Sequence, residues 1–498
     1  MKKNDWLIAG TTVFYSFLFY KQEAGLNCLL FSIVLGLSLF FAFPGKATTL
    51  KWKMSALATL LTAGSVFYYG NSLSVIAHLL SLSLLSAFTF ESRTSVIMAW
   101  CYSLYTGITA IVYLAIGLLQ RKKQSESEQA VGGSRLIGVW VILLPAAFGG
   151  MFFLIYRQGN ILFDEFSREW CGQLISMPWL LFNLGGLLLM YAFFNFRTLP
   201  ALADKEANLP DRMDKKGYGG GWIRGHLPFS QEYLSGLIVF SLLNLLTLLV
   251  NFLDVKFLFV DGRLPAGVSY SEFVHQGVGT LVFSILVAIA LILFYFRGEL
   301  NFYGRKRAIV VLAAGWVAQN LFMVFTGAVK NGMYIHEYSL TYKRIDVYVW
   351  LLLVVFGLLT TTYKLFFLRT NMFLVRINSW LCFVSLVAAS FFNWDDLITE
   401  YNIARGGNVD YAYLLSLSDN SLLPVYRACQ DPKIAGKVCL TEPENAGESE
   451  RTVKNISVKE LVHQHLADFM FEQSKLGWQS TCLSKQRLLH QVKNINSL

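Results

Sequence analysis

Charge is what this chain has least of. Of its 498 residues, 15% are Asp, Glu, Lys or Arg, where a water-soluble globular chain carries about 25%. Hydrophobic residues make up 55%, and the mean hydropathy is +0.48. That much apolar surface cannot be hidden in one water-soluble core and needs lipid as a second solvent. Acidic residues are missing from the middle of every long apolar run, which argues against a relay of intramembrane proton carriers. The Gly-rich stretch Lys215-Lys216-Gly217-Tyr218-Gly219-Gly220-Gly221 lacks the Gly-x-x-x-x-Gly-Lys-Ser/Thr pattern and is no phosphate cradle. Gly-x-Ser-x-Gly, His-Glu-x-x-His and paired Cys-x-x-Cys are all absent, which removes the hydrolase-elbow, zinc-protease and zinc-ribbon readings. No nucleic-acid motif occurs, and no cofactor or metal is expected. An Ala-x-Ala cleavage site does not follow the first apolar run, Trp6 to Tyr20, so that run reads as a short first helix or signal anchor.

What is present is a series of apolar runs near the length of about 20 residues that crosses a bilayer. Twelve cover roughly 6–20, 26–43, 54–69, 73–90, 95–119, 136–156, 173–194, 233–253, 274–296, 307–329, 346–368 and 373–392. The expected fold class is all-α: a polytopic transmembrane helix bundle of about 12 spans with a small, mostly helical soluble C-terminal tail. The domains are 1–194 with about seven spans, a basic Gly-rich cytoplasmic loop at 195–232, 233–392 with about five spans, and the tail at 393–498. The loops after the fifth, seventh, ninth and eleventh runs hold 17 Lys and Arg, and the three alternating loops hold seven. The positive-inside rule puts the richer set in the cytoplasm and the tail outside. Lys2, Lys3, Lys46, Lys51 and Lys53 fit less well, since they fall outside if all five early runs cross. The surrounding partner is the lipid bilayer, and no nucleic acid is expected.

In the tail, Asp410–Tyr426, Val458–Leu476 and Ser484–Val492 read as amphipathic helices and 430–456 as a polar loop. In an oxidising compartment Cys429 and Cys439 are close enough in sequence to form a disulfide. The alternative is two free thiols. Asn183, Asn244, Asn251 and Asn320 fall within or near spans. They are either a polar path through the bundle or interhelical hydrogen bonds, and the second is favoured. Glu272 and His275 precede one span, and His336 and Glu337 precede another. These groups lack compact ligand spacing.

Three blocks carry a resemblance. One runs from Gly267 to Gly277 and includes Tyr270, Glu272, Phe273 and His275. The second is Tyr338-Ser339-Leu340-Thr341-Tyr342-Lys343-Arg344. The third is Asn393-Trp394-Asp395, then Tyr401–Arg405, then Asp410–Ser418. In order and spacing they resemble a bacterial family of polytopic membrane proteins known as a domain of unknown function, the 4153/4173 group, over roughly 230–425. Such proteins usually show Tyr-x-x-Tyr-x-Arg-x-Gly-Phe in the first block, where this chain has Phe273, His275 and Val278 at the second Tyr, the Arg and the Phe. In the second block Ser339 stands where Gly is usual. The resemblance implies a multi-pass protein of the bacterial cytoplasmic membrane and brings no activity with it.

The blocks all lie at a membrane boundary on the side expected to be outside. Glu272, His275, Tyr338, Thr341 and Arg344 form the candidate outer-face site. The first expectation is a sensing or assembly component that binds a membrane or envelope protein partner through outer loops and tail. A small-molecule or ion transporter and an enzyme acting on a lipid-linked substrate are the alternatives. Catalytic residues are not assigned, and enzymatic activity is not the first expectation.

Overall fold

The computed structural model describes residues 3–128, 149, 151–153, 155–160, 162–165, 177–213, 229–261, 270–296, 299–407, 409–441 and 454–496. The described chain is predominantly helical. Seven of its helical stretches are long and apolar enough to cross a membrane: Ser72–Phe90, Val96–Gly117, Met177–Phe194, Ser230–Val260, Lys306–Tyr338, Tyr342–Phe367 and Asn371–Ala389. Leu26–Ala42 and Leu281–Tyr295 are shorter apolar helices. The protein is a multi-pass helical membrane protein. Much of the sixth expected run, about 136–156, lies outside the described residues.

The chain divides into two compact units. The first holds 1–94, 98–204 and 473–498. Its helices are α1 (Lys3–Phe19), α2 (Leu26–Ala42), α3 (Leu50–Tyr69), α4 (Ser72–Phe90), α5 (Val96–Glu128) and α6 (Met177–Phe194). Local chemistry sets the ends. Thr49 accepts from Trp52 N to cap α3, and Asn71 accepts from Ser74 N to cap α4. Between them Gly70 turns the chain at φ +64°, the left-handed conformation that glycine adopts without steric cost. Leu18, Phe31, Leu35, Leu39, Leu85 and Met190 pack the core.

The α3–α4 pair meets through small and hydroxyl side chains: Ser55, Thr59 and Thr62 on one helix, Ser74, Ala77 and Ser81 on the other, all buried. Small residues let helix backbones approach closely in lipid. Most of the hydroxyls satisfy themselves on the carbonyl three or four residues back, as Thr59 does on Ser55 O at 2.8 Å and Ser81 on Ala77 O at 2.7 Å.

The second unit holds 95–97 and 205–472. After α7 (Pro200–Asn208) come the long helices α8 (Phe229–Lys256), α9 (Tyr270–Tyr295), α10 (Lys306–Tyr338), α11 (Tyr342–Phe367) and α12 (Asn371–Ala389). Phe240, Ile285, Ile292, Ile309, Trp316 and Leu358 build its core. Of the basic loop expected at 195–232, the first described part ends at residue 213. Met213 N donates to Leu368 O at 2.9 Å and Thr370 N to Asp211 O at 3.1 Å, and Arg376 pairs with Asp211 at 2.5 Å. Its Gly-rich part lies outside the described residues.

The tail is one segment in sequence and two in the fold. Its first part, α13 (Trp394–Arg405), α14 (Tyr411–Leu415) and α15 (Leu422–Ala428), belongs to the second unit. The region read as a loop at 430–456 instead contains a short helix, α16 (Pro432–Ala435), and an antiparallel pair, β1 (Val438–Thr441) with β2 (Lys454–Ser457). After α17 (Val458–Lys475), the final segment with α18 (Leu483–Asn496) returns to the first unit. There Gln22 Oε1 accepts from Gly477 N and Ser480 Oγ, both at 2.8 Å, and Leu26 N donates to Thr481 O at 2.9 Å. Ser484 Oγ donates to Tyr69 O at 3.1 Å, and Lys485 pairs with Glu23 at 2.9 Å. Gly25 makes this approach possible, because a Cβ there would lie 2.6 Å from Thr481 O. Gly25→Ala is therefore expected to loosen residues 477–487 by about 1–3 kcal/mol, the usual cost of overpacking. Faster hydrogen exchange in that segment, with α8–α12 unchanged, is the readout.

Candidate functional site

The α10–α11 turn, Ser339 to Thr341, is the point where the second and third sequence blocks meet. Ser339 has φ +75° and ψ 173°, a region that is essentially glycine's alone. That explains in steric terms why glycine is usual at this position of the resembling block. The strain persists because the turn is held from several sides. Asn402, on α13, spans Leu340: its Oδ1 accepts from Leu340 N at 2.7 Å and its Nδ2 donates to Leu340 O at 2.9 Å. Both residues are buried. Arg405, one turn further on, donates to Ser339 Oγ and to Glu337 O, each at 3.1 Å.

Arg344 closes the turn from the α11 side. Its guanidinium donates to the carbonyls of Tyr338, at 2.7 Å, and Ser339. It lies 4.2 Å from the Tyr334 ring centroid and 5.9 Å from that of Tyr338, close enough for cation–π attraction. Thr341 starts α11 through its carbonyl, which accepts from Arg344 N and Ile345 N. Tyr338, Thr341 and Arg344 are thus brought together. Glu272 and His275 lie in the first two turns of α9, and their side chains are outside the described residues.

A buried carboxylate, Asp395, sits at the base of the docked tail and is 4% exposed. Tyr342 OH donates to Oδ1 at 2.6 Å, and Ser418 Oγ donates to Oδ2. Asp395 also lies in the first turn of α13, where the helix dipole favours negative charge. Tyr413 completes the contact, its hydroxyl oxygen accepting from Tyr342 N at 3.3 Å. Asp395, Asn402, Tyr413 and Ser418 were visible in the third block, but nothing in their spacing distinguished them as the side chains that carry the docking.

The four asparagines separate. Asn183, in the first unit, donates to Trp179 O of its own helix at 2.8 Å, and Asn320 does the same to Trp316 O at 2.7 Å. Asn244 and Asn251 reach from α8 to α10: Asn244 Nδ2 donates to Leu312 O at 2.9 Å and Asn251 Nδ2 to Gln319 O at 3.2 Å. Above them Lys330 pairs with Asp254 at 2.6 Å. Missed entirely was His78, 2% exposed, with its ring nitrogens 3.3 Å from Ser32 Oγ and 3.4 Å from Thr62 Oγ1. The four-residue spacing of Ser74 and His78, facing Ser55, Thr59 and Thr62, was the available signal. Cys429 closes α15 and is half-buried, and the Cys439 side chain lies outside the described residues. Among the described residues no three His, Cys, Asp or Glu converge as metal ligands.

Two outcomes follow from this geometry. Ser339→Gly relieves the backbone strain and is expected to tighten tail docking by about 1 kcal/mol, less the lost Arg405 contact. Asn402→Ala strips both backbone groups of Leu340 and is expected to weaken it by about 2 kcal/mol or more. Urea dependence of tail proteolysis in the membrane-embedded protein ranks the two against the parent. A pH effect comes from Asp396. Burial pushes its carboxyl above the usual range, the Glu400 charge adds to this, and Arg427 opposes it. A carboxyl raised on folding favours the folded state when protonated. Its contribution is complete below the unfolded carboxylate range and is lost as pH rises through the folded value. Protease resistance of 394–428 should therefore gain a component as pH falls from neutral, and Asp396→Asn should abolish that component.

A family model described as a domain of unknown function (DUF4153) matches residues 7–428. The match includes the α10–α11 turn and the docked helices α13 to α15, and it ends before the β-hairpin. No curated protein and no solved structure matches the chain. With most of its length covered by one family model, the chain belongs to the DUF4153 family.

Proposed function

We propose that this membrane protein is a sensing or assembly component whose working surface is the α10–α11 turn together with the docked tail, on the extracytoplasmic side. The observation that carries the reading is the lock itself. Buried Asp395 and Asn402 hold a strained turn in one shape, while Tyr338 and Tyr401 remain exposed at 46% and 40%. A preformed turn with exposed aromatics suits recognition, since rigid aromatic anchors lose little entropy on binding.

Sidedness is supported by the charge distribution inside the first unit. The end holding the α1–α2 and α3–α4 turns receives the final tail segment. The opposite end gathers Lys46, Lys51 and Arg93: Lys51 Nζ donates to Thr94 O at 2.7 Å, and Lys46 lies 5.1 Å from the Phe90 ring. Phe90 stacks on Phe196, beside Arg197. The positive-inside rule turns this basic end to the cytoplasm and the tail-bearing end outward. The early lysines then agree with an external tail and the N-terminus faces the cytoplasm, whereas Arg121, Lys122 and Lys123, at the far end of α5, turn outward against the rule.

Single cysteines in a cysteine-free background test the orientation. Gln464→Cys should react with a membrane-impermeant maleimide in intact spheroplasts, and Gly45→Cys only after permeabilisation. The reverse pattern would discard the extracytoplasmic surface. A photo-crosslinker at Tyr401 that yields no adduct above background in cells would discard the partner-binding role.

A further inference from the structure

At the turn between α11 and α12, Arg369 forms a single antiparallel bridge with Arg212. Met213 N donates to Leu368 O at 2.9 Å and Thr370 N to Asp211 O at 3.1 Å. Thr370 Oγ1 adds a bond to Pro210 O at 2.7 Å. These bonds flank the two arginines and fix them as directly opposed partners. In such a pair the Cα atoms are about 4.5 Å apart and both side chains leave the same face. Like charges so placed repel. A carboxylate between them would offset this, but among the described residues neither arginine pairs with one. Asp211 alternates to the other face and pairs with Arg376 at 2.5 Å. Glu206 Oε1 accepts from Ser95 N at 2.9 Å. Nor can Arg369 simply swing away. Its guanidinium lies 5.0 Å from the Phe373 ring centroid and 5.6 Å from that of Tyr363. One terminal nitrogen donates to Tyr363 OH at 3.3 Å, which leaves Nη1 uncommitted. Arg212 is exposed.

We propose that Arg212 and Arg369 together hold one phosphate group. Guanidinium donors match phosphate oxygens in pairs, and an anion between two arginines turns their repulsion into attraction. The surroundings favour a phosphate carried by a lipid. Phe366 and Phe367, in the last turn of α11, are 60% and 55% exposed and give acyl chains an apolar flank beside the charged pair. Two positive charges prefer a headgroup of net negative charge to one whose phosphate is balanced by its own cation. α11 runs from the α10–α11 turn to this bridge, so the site belongs to the leaflet opposite the surface proposed above. A dissolved phosphate suits the same pair of arginines and forms a separate arm of the test.

The test uses the full-length protein in phosphatidylcholine nanodiscs containing a little photoactivatable phosphatidylglycerol. Labelling of peptides covering 363–376 is expected to fall about 10-fold in Arg212→Gln, the worth of one charge-assisted hydrogen bond. Arg307→Gln removes the same charge from an exposed site on α10 and should label within about 2-fold of the parent. In the second arm, inorganic phosphate is added at constant ionic strength and its phosphorus resonance is followed. Labelling that depends on Arg212 assigns the phosphate to a lipid. Labelling independent of Arg212, with resonance broadening that Arg212→Gln abolishes, assigns it to a dissolved anion. Dependence on Arg212 in neither arm overturns the proposal, and so do equal losses in Arg212→Gln and Arg307→Gln. In nanodiscs lacking both anions, Arg212→Gln should unfold at a temperature no lower than the parent, because it removes a repulsion. A clearly lower midpoint would make the pair a structural contact and overturn the site as well.

Discussion

Lipid supplies no hydrogen-bonding partner, and that constraint organises the membrane part of this protein. Backbone groups are satisfied inside the helices, so each polar side chain within them must find its own partner. Three solutions appear. Hydroxyls bond back to their own helix, as Thr59 and Ser81 do. Asn183 and Asn320 do the same with their amides. Asn244 and Asn251 cross to the neighbouring helix and join α8 to α10. Such contacts rarely exceed about 1–2 kcal/mol each, yet they fix which helix faces meet in a medium where apolar packing alone discriminates poorly.

At the boundary the constraint relaxes and the chemistry changes. Water is near, charges are tolerated, and the chain uses them to hold one turn. Ser339 occupies a conformation it does not favour, and the surrounding bonds from Asn402, Arg344 and Arg405 over-determine it. Asp395 anchors the same assembly from below through two hydroxyl donors. The exposed Tyr338 and Tyr401 are carried on that scaffold.

Much of the architecture was legible in the residues, since apolar runs report helix existence directly. The long helices α4, α5, α6, α8, α10, α11 and α12 coincide with expected runs. The three blocks marked the neighbourhood of the candidate site. What spacing did not convey was which side chains meet. Asn244, Asn251 and Asp254 fall on one stripe of α8, seven and three residues apart, and that stripe faces α10. The tail shows the other limit. Amphipathicity pointed to helices at 458–476 and 484–492, which the structure places at 458–475 and 483–496, but not to the surface each would cover. A polar, proline-bearing stretch reads as loop although it holds a β-hairpin, because four-residue strands leave almost no pattern.

The last residues also bear on the order of assembly. Gln22 and Glu23, in the first turn, and Leu26 and Tyr69, at the ends of α2 and α3, bond to residues 477–485, about 400 positions or more later in the chain. During synthesis those turns stay uncapped until that distant segment has been made. A chain stopped before residue 477 would therefore carry its defect in its first helices.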